Sequence, residues 1–275
     1  MALSYKPFSA NLRAAEERIG MAQPIETRLS VNLNKVALLR NQRDVGYPSV
    51  LQAARLVVAA GAHGITVHPR PDERHVRRSD VTELAALIAA EFPPAIEFNV
   101  EGYPSPEFAA LIAEVRPDQV TLVPDAPDQR TSDHGWDLVH DGLRLAPLIA
   151  ELKASGARIS LFLDPEAAAM ARARAVGADR IELYTEPYAR AFGTPAAGAV
   201  LARYVATAKA AAEAGLGVNA GHDLNLDNLP AFCQAIPELA EVSIGHAITA
   251  DALRIGFPAA VEAYLRAIRR TALAA

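Results

Sequence analysis

A chain of 275 residues that is 51% hydrophobic and 21% charged can bury one large core, and α/β barrels of this length form single domains. Its formal net charge of −5, without a long basic run, argues against a nucleic-acid partner, because phosphate backbones demand clustered Lys and Arg. No apolar stretch reaches the roughly 18 residues of a membrane helix, the N-terminal MALSYKPFSANLRAAEERIG lacks the apolar core of a secretory signal, and one cysteine, Cys233, leaves no intrachain disulfide and no thiolate cluster. A cytoplasmic enzyme fits these features, with Cys233 a buried, inert thiol on a helix.

Residues 1–27 read as an N-terminal extension, helical in part around LRAAEERIGMA, and residues 28–275 as one catalytic domain. Short aliphatic and β-branched runs there alternate with Ala/Leu-rich stretches, the texture of repeated βα units. Strands are predicted at 28–34 (RLSVNLN), 64–68 (GITVH), 95–101 (AIEFNVE), 119–124 (QVTLVP), 158–164 (RISLFLD), 180–186 (RIELYTE), 216–222 (LGVNAGH) and 241–246 (EVSIGH). Between them, VLQAARLVVAAGA, VTELAALIAAEF, PEFAALIAEV and PEAAAMARARAVGA place apolar residues at i, i+3, i+4 and i+7. LRLAPLIAELKASGA predicts a long helix before strand five, and Gly61, Gly156, Gly177 and Gly215 stand where helix C-caps belong. Eight right-handed βαβ units close into a single (β/α)8 barrel with additional helices. An open doubly wound sheet is disfavoured, since no GxGxxG follows the first strand.

Barrel active sites hang from strand C-termini, and polar residues gather there. Asn32, Asn34 and Lys35 end strand one, with Arg40 and Arg43 following; His68 ends strand two, followed by Arg70 and His75. Glu101 ends strand three, and loop four carries Asp125, Asp128, Thr131, Asp133 and His134. Strand six bears Glu182, strand seven ends with Asn219 and His222, and strand eight with Gly245 and His246. Histidines converging with carboxylates on one mouth point to acid–base chemistry. Glu182 either pairs with Arg180 or points into the barrel. Arg74, Arg77 and Arg78 read as a surface cluster, His63 as structural, His140 as a helical surface residue, and Trp136 as an anchor for the helix after loop four. NAGHDL and SIGHAI each put a Gly-His pair where a strand turns toward a helix, a setting that suits a phosphate.

The segments VNLNKVALLRNQR, GITVHPRPDERH, FNVEG, LVPDAPDQRTSDHGW, IELYTEPY, VNAGHDLNLDN and SIGHAI, in order from about residue 29 to 250, resemble the pyridoxine 5′-phosphate synthase family of vitamin B6 biosynthesis. The resemblance implies a (β/α)8 enzyme that condenses 1-deoxy-D-xylulose 5-phosphate with 3-amino-2-oxopropyl phosphate, two small phosphorylated substrates. It implies His68 and Glu101 as proton acceptors, His222 as proton donor, and Glu182 as a transition-state stabiliser. Asn32, Arg43, Asp223, Gly245 and His246 would hold the aminoketone phosphate; Asn34, Lys35, Arg70, His75 and Thr131 would hold the xylulose phosphate. It further implies no metal, no organic cofactor, and a homo-octamer. Three positions depart from the family pattern: Asn34-Lys35 replaces Asp-His, Asp223 replaces a glycine, and loop four reads TSDHG rather than TTEGG.

Two other chemistries fit the residues alone. Lys35, at a strand end, could form the Schiff base of an aldolase. His68, Glu101, Glu182, His222 and His246 could ligate the divalent metal of a sugar-phosphate isomerase or epimerase. A non-catalytic phosphate-binding barrel is disfavoured by the clustered acid–base groups.

Overall fold

The computed structural model describes residues 26–43, 45–125 and 132–269. Its eight strands are β1 (Arg28–Asn32), β2 (Gly64–Val67), β3 (Glu97–Gly102), β4 (Gln119–Leu122), β5 (Arg158–Leu163), β6 (Arg180–Leu183), β7 (Gly217–Gly221) and β8 (Leu239–Ile244). Each pairs in parallel with the next, and β8 pairs with β1, closing the expected barrel.

Strands one and six end earlier than predicted, for a local reason. The Asn34 N–H donates to Asn32 Oδ1 at 2.9 Å, and helix α1 (Asn34–Asn41) starts at once. After β6, Pro187 sits in the first turn of α7 (Glu186–Ala191), where its fixed φ suits a helix start. The helices between are α2 (Val50–Ala59), α3 (Arg78–Glu91), α4 (Pro106–Val115), α5 (Gly142–Lys153) and α6 (Met170–Ala175). After α7 come α8 (Ala197–Glu213), α9 (Leu229–Ala235), α10 (His246–Ile255) and α11 (Phe257–Ala267). Ser49 and Ser105 cap α2 and α4, each accepting a backbone N–H at 3.2 Å. Gly61, Gly156, Gly177 and Gly215 all have positive φ, as C-caps require.

Trp136 is buried and donates from Nε1 to the Leu122 carbonyl at 2.9 Å, so it does anchor the chain entering α5. Cys233 is buried in α9. His63 is structural, its Nδ1 accepting the Leu29 N–H at 3.0 Å. His140 is not helical: Asp137 accepts the Val139 and His140 N–H groups and holds a turn ahead of α5. The extension proposed for residues 1–27 falls almost wholly outside the described residues.

Parallel strands with helices outside are buried on both faces, and here the faces differ. Leu29, Val31, Ile65, Val67, Phe98, Val100, Val120, Leu122, Ile159, Leu161, Ile181 and Leu183 alternate outward and build the core with the helices. The opposite alternation is polar. Ser30 meets Thr66 at 2.7 Å, Asn99 donates to Thr66 at 3.3 Å, and Thr121 donates to Asn99 at 3.1 Å. Asn219, expected at the mouth, lies in this interior, donating to Gln119 at 3.4 Å and accepting from Arg180 at 3.1 Å. The barrel therefore has a hydrophobic jacket and a hydrogen-bonded interior. Following the same face upward along each strand leads to Asn32, Glu101, Phe162, Glu182 and Ser243.

Candidate active site

Those upper residues open into a cavity of about 380 Å³ at the strand C-termini. Of the fourteen site residues proposed from sequence, twelve line it: Asn32, Asn34, Lys35, His68, Arg70, His75, Glu101, Glu182, His222, Asp223, Gly245 and His246. Arg43 is not brought in; it is exposed just beyond α1. Thr131 and Asp128 lie outside the described residues. Val123, Ser132, Phe162 and Ser243 also line the cavity and were not foreseen, although strand alternation from Glu182 and Glu241 pairs onto Phe162 and Ser243.

Asn34 works on its neighbour: its Oδ1 accepts the His68 N–H at 2.9 Å, fixing the end of β2 against the start of α1. An amide keeps the acceptor that a carboxylate would supply there. Arg70 and Asp125 form a buried ion pair between loops two and four, and Ser132 Oγ donates to the same carboxylate oxygen at 2.7 Å. Asp133 and His134 pair with each other at the exposed rim, 2.6 Å apart. Arg74 pairs with Asp72 and Arg78 with Glu114, as a surface cluster should.

Electrostatics at the centre run against ionisation. Glu101 is buried, and burial followed by the nearby Glu182 and Asp125 charges raises its carboxyl well above the usual range. Burial pushes Glu182 up to about 7, against the pull of His222. Its Oε2 is buried without a hydrogen-bond partner, whereas Arg180 turns to Glu241, so Glu182 points into the barrel. Burial, then the Arg70 charge, holds His68 well below its usual range, and the same causes lower His75 to about 4. His68 Nδ1 and Glu101 Oε2 stand 3.8 Å apart, and with both shifted toward neutrality they are not an ion pair.

His222 follows β7 with φ of 74°, a left-handed conformation that costs a non-glycine residue on the order of 1–3 kcal/mol. Such strain is stored where a side chain must be aimed. Gly221 before it is required: a Cβ there would stand 2.7 Å from Glu182 Oε1. Strand seven does not turn directly into a helix, as NAGHDL had suggested; α9 begins only at Leu229. SIGHAI does: α10 starts at His246, and the first N–H groups of a helix lack intrahelical partners. Among the described residues no three His, Cys, Asp or Glu groups converge in a way that could hold a metal ion.

Solved structures share this architecture at low sequence similarity. Tryptophan synthase of Mycobacterium tuberculosis superposes with a TM-score of 0.59 at 14% identity, over 90% of this chain and 94% of that one, a likeness of fold alone. Closer are two proteins named pyridoxine 5′-phosphate synthase. That of Albidiferax ferrireducens is 60% identical over 247 residues, covering 88% of this chain and 97% of its own; that of Mesorhizobium japonicum is 58% identical, covering 87% and 98%. The family model for the pyridoxal phosphate biosynthesis protein PdxJ matches residues 29–270, from the first strand through the last helix, and the chain belongs to that family.

Proposed function

We propose that this barrel is a pyridoxine 5′-phosphate synthase, condensing 1-deoxy-D-xylulose 5-phosphate with 3-amino-2-oxopropyl phosphate to give pyridoxine 5′-phosphate, phosphate and water. The observation that carries the reading is the convergence of His68, Glu101, Glu182 and His222 on one cavity, in a chain 60% identical to a synthase over 97% of that relative's length. Ring closure must strip carbon-bound protons and expel water, which requires groups that both give and take protons near neutral pH. Glu101 and His68 suit that work. Both are shifted toward their neutral forms, a carboxyl that can give a proton and an imidazole with one nitrogen able to take it. A closure of less than 1 Å from 3.8 Å would hydrogen-bond the pair, so a single proton can pass between them. Whichever group has given it up is the base for the next carbon acid.

The binding roles follow the same geometry. Lys35, Arg70 and His75 line one part of the cavity and suit the phosphate of the xylulose substrate, Arg70 being aimed by Asp125. The α10 N-terminus at Gly245 and His246, beside Asn32, suits the aminoketone phosphate. Val123, Phe162 and Tyr184 pack as a separate apolar cluster, two of its members on the cavity wall, where they would keep water from the condensing carbons. The reading includes a cytoplasmic homo-oligomer, an octamer by family, with residues 28–275 as its catalytic unit. Exposed Leu39 and Leu253, on the packed helices α1 and α10, supply apolar surface such an assembly would cover. Incubating the purified protein with both substrates should yield pyridoxine 5′-phosphate and inorganic phosphate. Consumption of either substrate alone, with no pyridoxine product, would overturn the assignment.

A further inference from the structure

Asp223 stands where the family pattern has glycine, and the structure gives its carboxylate a partner. His222 Nδ1 and Asp223 Oδ2 are 2.5 Å apart, and both side chains are only part-exposed on the cavity wall. The strained backbone of His222 turns the two consecutive side chains together, which an extended strand would send to opposite faces. Tyr184 also packs against the imidazole, T-shaped with ring centroids 5.8 Å apart, which adds a second contact to the ring. We propose that Asp223 is a positioning residue for His222, accepting its Nδ1 proton and thereby reserving Nε2 for proton exchange with the bound intermediate.

The chemistry follows from the two nitrogens. A neutral imidazole carries one proton, and the hydrogen bond made by one nitrogen decides the state of the other. With Nδ1–H donated to Asp223, the proton that His222 delivers leaves from Nε2, and Nε2 is bare afterwards. The arrangement is that of a carboxylate orienting a catalytic histidine, formed here by adjacent residues. A free carboxylate beside a phosphate site would repel the anion, and here the Asp223 carboxylate is directed at the imidazole instead. Asp223 is then not a substrate ligand but a residue that acts through its neighbour.

This inference rests on the synthase reading for its kinetic arm only. In 15N NMR of the wild-type protein, neutral His222 should show a protonated Nδ1 and a bare Nε2, and Asp223→Ala should move the signals toward the opposite tautomer. Asp223→Asn, whose Oδ1 can still accept from Nδ1, should restore the wild-type pattern. In turnover, Asp223→Ala should lower kcat roughly 10–100-fold, the cost typical of removing a carboxylate that orients a functional histidine, while KM for each substrate changes less than about threefold. Asp223→Asn should recover most of kcat. An unchanged His222 tautomer in Asp223→Ala would overturn the proposal, as would a rise in the aminoketone KM at constant kcat. Failure of the wild-type protein to make pyridoxine 5′-phosphate would sink the synthase reading and leave the NMR arm to decide the His222–Asp223 pair.

Discussion

The two ends of the barrel interior hold the same kinds of charged group and differ in how closely they pair them. At the N-terminal end of the strands, Glu97 pairs with Arg158 at 2.6 Å and Glu241 faces Arg180 at 3.7 Å, with Gln119 and Asn219 bridging. Burial works to raise Glu97, but the Arg158 guanidinium outweighs it and holds the carboxyl below its usual range. Glu241, buried beside Glu97, is pushed up to about 8. The close pair with Arg158 thus holds Glu97 down, whereas Glu241, farther from its guanidinium and beside the Glu97 charge, is left raised. At the C-terminal end, the Glu182 charge acts on Glu101, the lowered His68 stands 3.8 Å from Glu101, and the Arg70 guanidinium is paired with Asp125. A buried carboxyl in a close ion pair, as Glu97 is with Arg158, is held down; without one the carboxyl is raised, and at the cavity end Glu101 and Glu182 stand raised where they can exchange protons with a substrate.

The largest effect should come from removing one of the raised carboxyls at the cavity. Glu101→Gln keeps shape and hydrogen bonding but cannot take a proton, and kcat should fall about 10²–10⁴-fold with substrate affinity changed only a few-fold. Near-normal turnover, or failure to bind, would remove Glu101 from the chemistry. Glu182→Gln sharpens the contrast through pH. A carboxyl raised to about 7 carries a proton in the fold that the unfolded chain gives up near 4.5, so its folded-state contribution is full in acid and is lost as pH rises through about 7. Glu182→Gln should therefore be more stable than wild type by on the order of 1–3 kcal/mol at about pH 8, equal to it at about pH 4, and less active. Equal melting temperatures at both pH values would contradict the raised carboxyl.

The opposite end should answer in stability alone. Arg158→Met strands Glu97 in the interior, and since the Arg158 side chain is part-exposed the cost should be about 1–3 kcal/mol. Because Glu97 is lowered, that cost should be greatest at neutral pH and shrink as acid protonates the carboxyl. The folded variant should keep kcat within about twofold, as no group of the cavity is altered. A large fall in kcat would mean that the two ends are coupled. The smallest expected effect is none: borohydride reduction in the presence of either substrate should leave the protein mass unchanged, Lys35 serving as a cation. A covalent adduct on Lys35 would revive aldolase chemistry.

This division of the interior was only half legible in the sequence. The barrel and the twelve cavity residues could be read because strand ends are marked locally: HPRPDERH, FNVEG and NAGH each follow a β-branched run. The polar lining could not, because Ser30, Thr66 and Asn99 become a network only through the register of neighbouring strands. Asn219 was drawn to the mouth by its nearness to His222, yet alternation along β7 turns it to the interior and the pairing with β8 sets it opposite Glu241. Arg70 and Asp125 are 55 residues apart, and their pairing depends on the closure of β2, β3 and β4 into adjacent positions. His140 looked helical because LVHDGLRLA is apolar at helical spacing, but Asp137 competes for the backbone donors and holds a turn. The link between His222 and Asp223 was hidden for a different reason: it depends on a backbone angle that only the folded turn displays.

The contrast between the two ends can be measured without turnover. With side-chain 13C labelling of glutamate, an NMR titration reads each carboxyl separately. Glu182 should titrate at about 7 and Glu101 well above the exposed glutamates, while Glu97 should titrate below them. Titration of Glu101 and Glu182 near 4.5, in step with exposed glutamates, would contradict that order.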